Sequence, residues 1–127
     1  MQGSKKRLLV CGSRSWTKVD DIRNCLNYLV EMFPDTTIIH GGARGADTIA
    51  GTVAAEMGLP VEVYPADWMA YGRGAGPIRN QKMLDDGHPD KVLAFVRPSL
   101  DKSRGTRDMV QRARLAGIPT LVLEDPT

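Results

Sequence analysis

Histidine, cysteine and aromatic residues are all scarce in this chain of 127 residues, which has two histidines, two cysteines and 6% aromatics. Cys11 and Cys25 sit in apolar contexts, one ending a strand-like run and one inside a helix-like run. A disulfide framework is therefore not expected, and reduced thiols in a cytoplasmic protein are the simpler reading. His40 and His88 belong to no metal-ligand spacing and the cysteines do not join them, so no metal site is expected. No series of nucleophile, base and acid stands out. No apolar stretch approaches the ~20 residues of a membrane helix, and Met1–Lys6 lacks a signal peptide's long apolar region. Charge of one sign is lacking too, since 17 basic against 15 acidic residues leave +2. That balance does not by itself call for nucleic acid or membrane, although a local basic cluster around a phosphate fits it.

What remains is ordinary globular composition, 42% hydrophobic and 25% charged, in a length suited to one domain. Residues 1–6 read as a solvated tail and residues 7–127 as a single domain without linker, repeat or low-complexity segment. Five short apolar runs, Leu8–Cys11, Thr37–His40, Val61–Tyr64, Val92–Phe95 and Thr120–Leu123, alternate with helical patterns. Several runs are continuously apolar, as parallel strands covered on both faces should be. In the first helical pattern Val19, Ile22, Leu26, Leu29, Val30 and Phe33 form one stripe, with Thr17 placed to cap it and Asp20 and Asp21 near the positive end of its dipole. Further helices are expected over about 47–57, from Pro77 to near Gly87, and along Met109, Val110, Ala113 and Ala116 to a stop at Gly117. The alternation predicts an α/β fold, a Rossmann-like doubly wound sheet of about five parallel strands with four main helices.

In such sheets ligands bind beyond the carboxyl ends of the strands, at a switch in strand order. Here the strand-to-helix connections are rich in glycine and polar residues while the return connections are plain. The first is Gly12-Ser13-Arg14-Ser15-Trp16-Thr17. Ser13 and Arg14 suit a phosphate or sugar and Trp16 suits a base; equally, the segment suits a capped turn with a surface arginine and a half-buried tryptophan. The second, His40-Gly41-Gly42-Ala43-Arg44-Gly45-Ala46-Asp47, favours a phosphate cradle of backbone N–H groups with Arg44 as chelating cation. Asp47 is either the helix cap or a partner for a sugar hydroxyl. His40, ending a buried strand, reads as a structural hydrogen-bonding residue.

The third connection, Ala66 to Gly76 and on through Pro77-Ile78-Arg79-Asn80, is long enough to be a ligand-facing flap, with Asp67, Trp68 and Arg79 as candidates. Its other reading is a loop pinned to the surface by Trp68 and Tyr71. The fourth ends in Gly105-Thr106, which suits either a phosphate or a plain helix start. Neither a GxGxxG fingerprint nor the Lys-Ser/Thr ending of a P-loop is present, and no cofactor is expected.

Together, Val10-Cys11-Gly12-Ser13-Arg14, His40 through Asp47, Ala66-Asp67-Trp68, Ala75 through Asn80 with Met83, and Gly105-Thr106 resemble the SLOG superfamily, in particular its YspA-like branch. That superfamily also contains the DprA proteins and the LOG nucleotide phosphoribohydrolases. The resemblance implies a Rossmann-like fold, a pocket for a nucleotide-derived small molecule, and homodimers or larger assemblies. It places Gly12, Ser13, Arg14, Gly41, Gly42, Arg44, Gly45, Asp47, Asp67, Trp68, Arg79, Asn80, Gly105 and Thr106 at the ligand.

The LOG enzymes cleave the N-glycosidic bond of nucleoside monophosphates with an Arg-Lys-x-x-Met and a Gly-Thr-x-x-Glu segment. Arg79-Asn80-Gln81-Lys82-Met83 resembles the first, but Met109 stands where the second has its glutamate. Methionine offers no acid or base, and Asp108 is rotated about 100° away on a helix. Asp67, Arg79 and Asp108 are then the remaining catalytic candidates. A binder acting as sensor or sequestering protein is expected first, a nucleotide hydrolase second. Single-stranded DNA binding of the DprA kind, which would be strongly salt-dependent, comes third because the charge is modest and the chain short.

Overall fold

The computed structural model describes residues 5–127. Five strands, β1 (Lys5–Gly12), β2 (Asp35–His40), β3 (Val61–Val63), β4 (Lys91–Val96) and β5 (Thr120–Glu124), form one parallel sheet in the order β3-β2-β1-β4-β5. The chain steps outward from β1 to β3, then crosses back to lay β4 beside β1. With right-handed crossovers, that reversal puts the later helices on the opposite face of the sheet.

Four main helices cover the two faces: α1 (Val19–Met32), α2 (Ala46–Glu56), α4 (Ala75–Gly87) and α5 (Arg104–Leu115). A short α3 (Trp68–Tyr71) and a 3-10 turn (Gly72–Gly74) occupy the connection read as a ligand-facing flap or a pinned surface loop. No helix among the described residues is long and apolar enough to cross a membrane.

Strand alternation divides the core. Leu8, Val10, Ile38, Leu93 and Phe95 face α1 and α2, meeting Ile22, Leu26, Ala50, Val53 and Ala54. Leu9, Cys11, Ile39, Val92 and Ala94 face α4 and α5, meeting Met83, Leu84, Met109, Val110 and Ala113. Both faces of the central strands are covered, which accounts for their unbroken apolar sequence.

Several local expectations need correction. β1 begins at Lys5, so Lys5 and Lys6 are strand residues; the rest of the expected tail, residues 1–4, lies outside the described residues. Thr17 does not cap α1: Lys18 holds that position without a side-chain bond, and the Thr17 carbonyl accepts the Val19 N–H. Asp20 and Asp21 do lie in the first turn. Ala116 is exposed, because α5 ends one residue earlier and its buried face stops at Ala113. Trp16 is not available to a base. It is 3% exposed and meets Phe95 edge-to-face at 5.3 Å between ring centres, and its indole N–H donates to the Lys18 carbonyl at 3.0 Å. Its apolar area belongs to the core beneath the loop.

Candidate functional site

The strand order switches between β1 and β4, but the crevice there is laced together. Ser13 is buried; its Oγ lies 2.5 Å from the Ser103 Oγ and accepts the Arg97 N–H at 2.8 Å. The Ser13 N–H in turn donates to the Phe95 carbonyl at 2.9 Å. The next loop is joined to the same segment: Ala46 donates its N–H to the Ser13 carbonyl at 3.2 Å. Gly45 holds φ +78°, and a Cβ on it would run into that carbonyl, so only glycine lets the two loops approach this closely. A Cβ on Gly12 would likewise run into the Phe95 carbonyl and the Ala46 side chain.

The loop between β2 and α2 is largely satisfied from within. Asp47 lies in the first turn of α2, with Gly45 at the cap position, and its Oδ2 accepts the N–H groups of Gly41 at 3.0 Å and Ala43 at 3.4 Å. Gly42 donates its N–H to His40 Nδ1 at 3.0 Å. The expected cradle of free amides is thus absent at these three residues, since a carboxylate and an imidazole already occupy them. Asp47 is neither cap nor exposed partner for a sugar; its carboxyl is 5% exposed and burial raises it to about pKa 6, against the N–H bonds from Ala43 and Gly41 and the nearby Arg79 and Arg14 cations. His40, with Nδ1 as acceptor, is pushed down by burial and stays neutral, in the structural role its strand position implied.

Helix α4 supplies the third wall. Arg79 donates from Nη1 to the Gly41 carbonyl at 2.6 Å and from Nε to Asn80 Oδ1 at 3.1 Å. Its guanidinium is half-buried, and desolvation lowers its pKa while the Asp47 charge opposes that shift. Arg14, Gly41, Gly42, Arg44, Trp68 and Arg79, six of the residues expected at a ligand, border one cavity of about 210 Å³ together with Ala43, Pro65 and Ala66. Arg14 and Arg44 are exposed, and neither makes a hydrogen bond or ion pair among the described residues. Trp68 is 50% exposed and lies over Gly76 of α4. Pro65 was not singled out from sequence; its signal is position alone, two residues after β3.

The other expected residues lie elsewhere. Asn80 is buried and donates from Nδ2 to the Gly105 carbonyl at 3.1 Å and to Asp108 Oδ2 at 3.0 Å, tying α4 to the start of α5. Asp108 Oδ2 also accepts from Arg112 Nε at 2.8 Å. Thr106 is buried in the first turn of α5, and Met109, at the position compared with a glutamate, is wholly inside the core. Asp67 caps α3, its Oδ1 accepting the Ala70 N–H at 3.0 Å. The Cys11 thiol is buried, and burial together with the neighbouring Asp47 pushes its pKa up, which keeps it protonated. Among the described residues no group of three or more His, Cys, Asp or Glu side chains could hold a metal ion.

A model of the YspA, cpYpsA-related SLOG family matches residues 6–71. The gene 61 protein of Mycobacterium phage D29 is 36% identical over 126 residues, covering 94% of this chain and 98% of the phage protein. In fold the chain is similar to DNA processing protein A (DprA) of Streptococcus pneumoniae, known from an X-ray structure. The TM-score is 0.71 at 18% identity, over 92% of this chain and 50% of that one. The chain thus spans half the length of that protein, and the likeness concerns the fold.

Proposed function

Because the chain belongs to the YspA, cpYpsA-related SLOG family, we propose that the cavity bordered by Arg14, Arg44, Arg79 and Trp68 binds a nucleotide or nucleotide-derived ligand, in the service of sensing or sequestration. The observation that carries this reading is the makeup of the cavity wall. Three guanidinium groups and one indole face take part, and no acidic side chain borders the cavity. Arg14 and Arg44 have no partners of their own among the described residues, so their full hydrogen-bonding capacity is open to an anion. The indole gives a base or ribose an apolar face.

Hydrolysis of the glycosidic bond draws less support. It needs a carboxylate free to protonate a leaving group or stabilise an oxocarbenium centre. Asp67 caps its own helix, Asp108 is held between Asn80 and Arg112, and Asp47 is occupied by two backbone N–H groups.

Titration calorimetry with nucleoside mono- and diphosphates tests the reading. Arg14→Ala and Arg44→Ala should each weaken binding by about tenfold or more, as expected for loss of a charge-assisted contact, while leaving the melting temperature unchanged. Binding that survives both substitutions together would put the ligand elsewhere. Release of free base from a nucleoside monophosphate would restore the hydrolase.

A further inference from the structure

Resting on that reading, we propose that the site recognises the phosphate end of its ligand and is indifferent to the identity of the base. A pocket that tells the four bases apart needs hydrogen-bond acceptors beside its donors, such as amides, hydroxyls or carboxylates. This one has no acceptor among its side chains: apart from three arginines and Trp68, which only donate, the lining is Gly41, Gly42, Ala43, Pro65 and Ala66.

The backbone of the lining is largely engaged as well. The N–H groups of Gly41 and Ala43 go to Asp47, and that of Gly42 to His40. The Gly41 carbonyl accepts from Arg79, and the Ala43 carbonyl accepts the Thr48 N–H at 3.2 Å and the Thr48 hydroxyl at 2.7 Å. Pro65 has no N–H to offer.

Size points the same way. The cavity is about 210 Å³, below the roughly 300 Å³ at which pockets begin to enclose whole small-molecule ligands. It therefore takes the phosphates, and the base is left at the rim, against the exposed face of Trp68. Stacking of this kind tolerates any base, because every base has a π-face. Three guanidiniums, with the buried Asp47 behind Arg79 as the one carboxylate they face, match the two linked phosphates of a nucleoside diphosphate better than a single phosphate.

The test measures dissociation constants of the whole chain for ADP, GDP, CDP, UDP and inorganic pyrophosphate, in the native protein and in Trp68→Ala. The expected result is a spread within about tenfold among the four bases. Trp68→Ala should weaken all four by about tenfold and leave pyrophosphate unchanged. A spread wider than that, of the hundredfold or greater size that hydrogen-bonded base reading produces, overturns base indifference while the binding reading stands. An equal loss of pyrophosphate and ADP in Trp68→Ala overturns the division into phosphate pocket and base rim. Failure of every probe, pyrophosphate included, removes this inference and the nucleotide-binding reading together.

Discussion

The hydroxyls of Ser13 and Ser103 stand 2.5 Å apart across the point where the strand order reverses. In doubly wound sheets that point is where a crevice opens and a ligand settles. Here the two serines, with the Arg97 N–H on the same Oγ, close it. The cavity opens instead beyond the carboxyl ends of β2 and β3, with Arg14 reaching it from the β1 loop and Arg79 from α4.

Ser13 should therefore matter more to stability than to binding. Ser13→Ala removes the acceptor of a partly buried backbone N–H, a loss of about 1 kcal/mol. Urea denaturation should register it, and affinity for nucleoside diphosphates should change less than in Arg44→Ala. A variant of native stability that no longer binds would return Ser13 to the phosphate.

Two glycines should respond in opposite directions to alanine. A Cβ on Gly51 would lie 2.5 Å from Nε2 of His40, whose ring is held by the Gly42 N–H. Neither the buried ring nor the helix can give way freely, so Gly51→Ala should cost about 1–3 kcal/mol, as overpacking does. A Cβ on Gly105 would meet nothing within 4 Å, and the residue lies in the first turn of α5. Gly105→Ala should raise stability by roughly 0.5–1 kcal/mol, because a helical glycine surrenders more chain entropy on folding. It should leave binding intact, since Gly105 is outside the cavity wall. Melting curves of the two variants side by side decide both.

Arg79 and Asp47 should behave as a coupled pair. Arg79→Met deprives a buried carboxylate of its nearest strong cation and the Gly41 carbonyl of its donor. Asp47→Asn removes the charge that needs neutralising. In a double-mutant cycle at neutral pH the second substitution should soften the first, with a coupling energy of about 1–2 kcal/mol. Strict additivity would mean that the Arg79 charge is spent on the solvent and the ligand rather than on Asp47.

The sequence makes the scaffold legible because its signals are local: apolar runs for the central strands, stripes for the helices, and Gly58 and Gly117 just beyond two helix ends. That Arg14, Arg44, Trp68 and Arg79 gather at one cavity is legible for the same reason, since each closely follows a strand or opens a helix on the side where strand-to-helix loops meet. The roles of Ser13 and Asn80 are not legible, because they depend on partners 90 and 25 to 28 residues away. Trp16 stays between two readings because periodicity lapses in a loop; nothing local distinguishes an indole turned into the core from one turned to solvent. For Asp47 the local sequence offers a cap, and only the path of the loop reveals that its carboxylate reaches back to Gly41 and Ala43.

That buried carboxylate also gives the protein a pH signature whose sign is fixed. Burial raises Asp47 from an ordinary 3.8 to about 6. Between those values the folded chain holds a proton that the unfolded chain has released, so stability from this group is greatest at low pH, falls as pH rises through the window, and levels off above about 6. A displacement of this size corresponds to about 3 kcal/mol as an upper figure. Asp47→Asn, which keeps an oxygen toward Gly41 but cannot ionise, should lack this component. The difference in unfolding free energy between native protein and variant should therefore shift by up to about 2 kcal/mol in favour of the native chain on going from pH 7.5 to pH 4.5, the rest of the displacement appearing only below about pH 4. A parallel pH dependence in the two proteins would show that Asp47 ionises normally, and that its bonds to Gly41 and Ala43 offset the burial. Anion binding should follow the same group: a phosphate beside Arg79 and Arg14 favours the protonated carboxyl, so binding near neutral pH should take up protons in the native chain and less in Asp47→Asn. Calorimetry in two buffers of different ionisation enthalpy separates that uptake from the ligand's own proton, which both proteins handle alike.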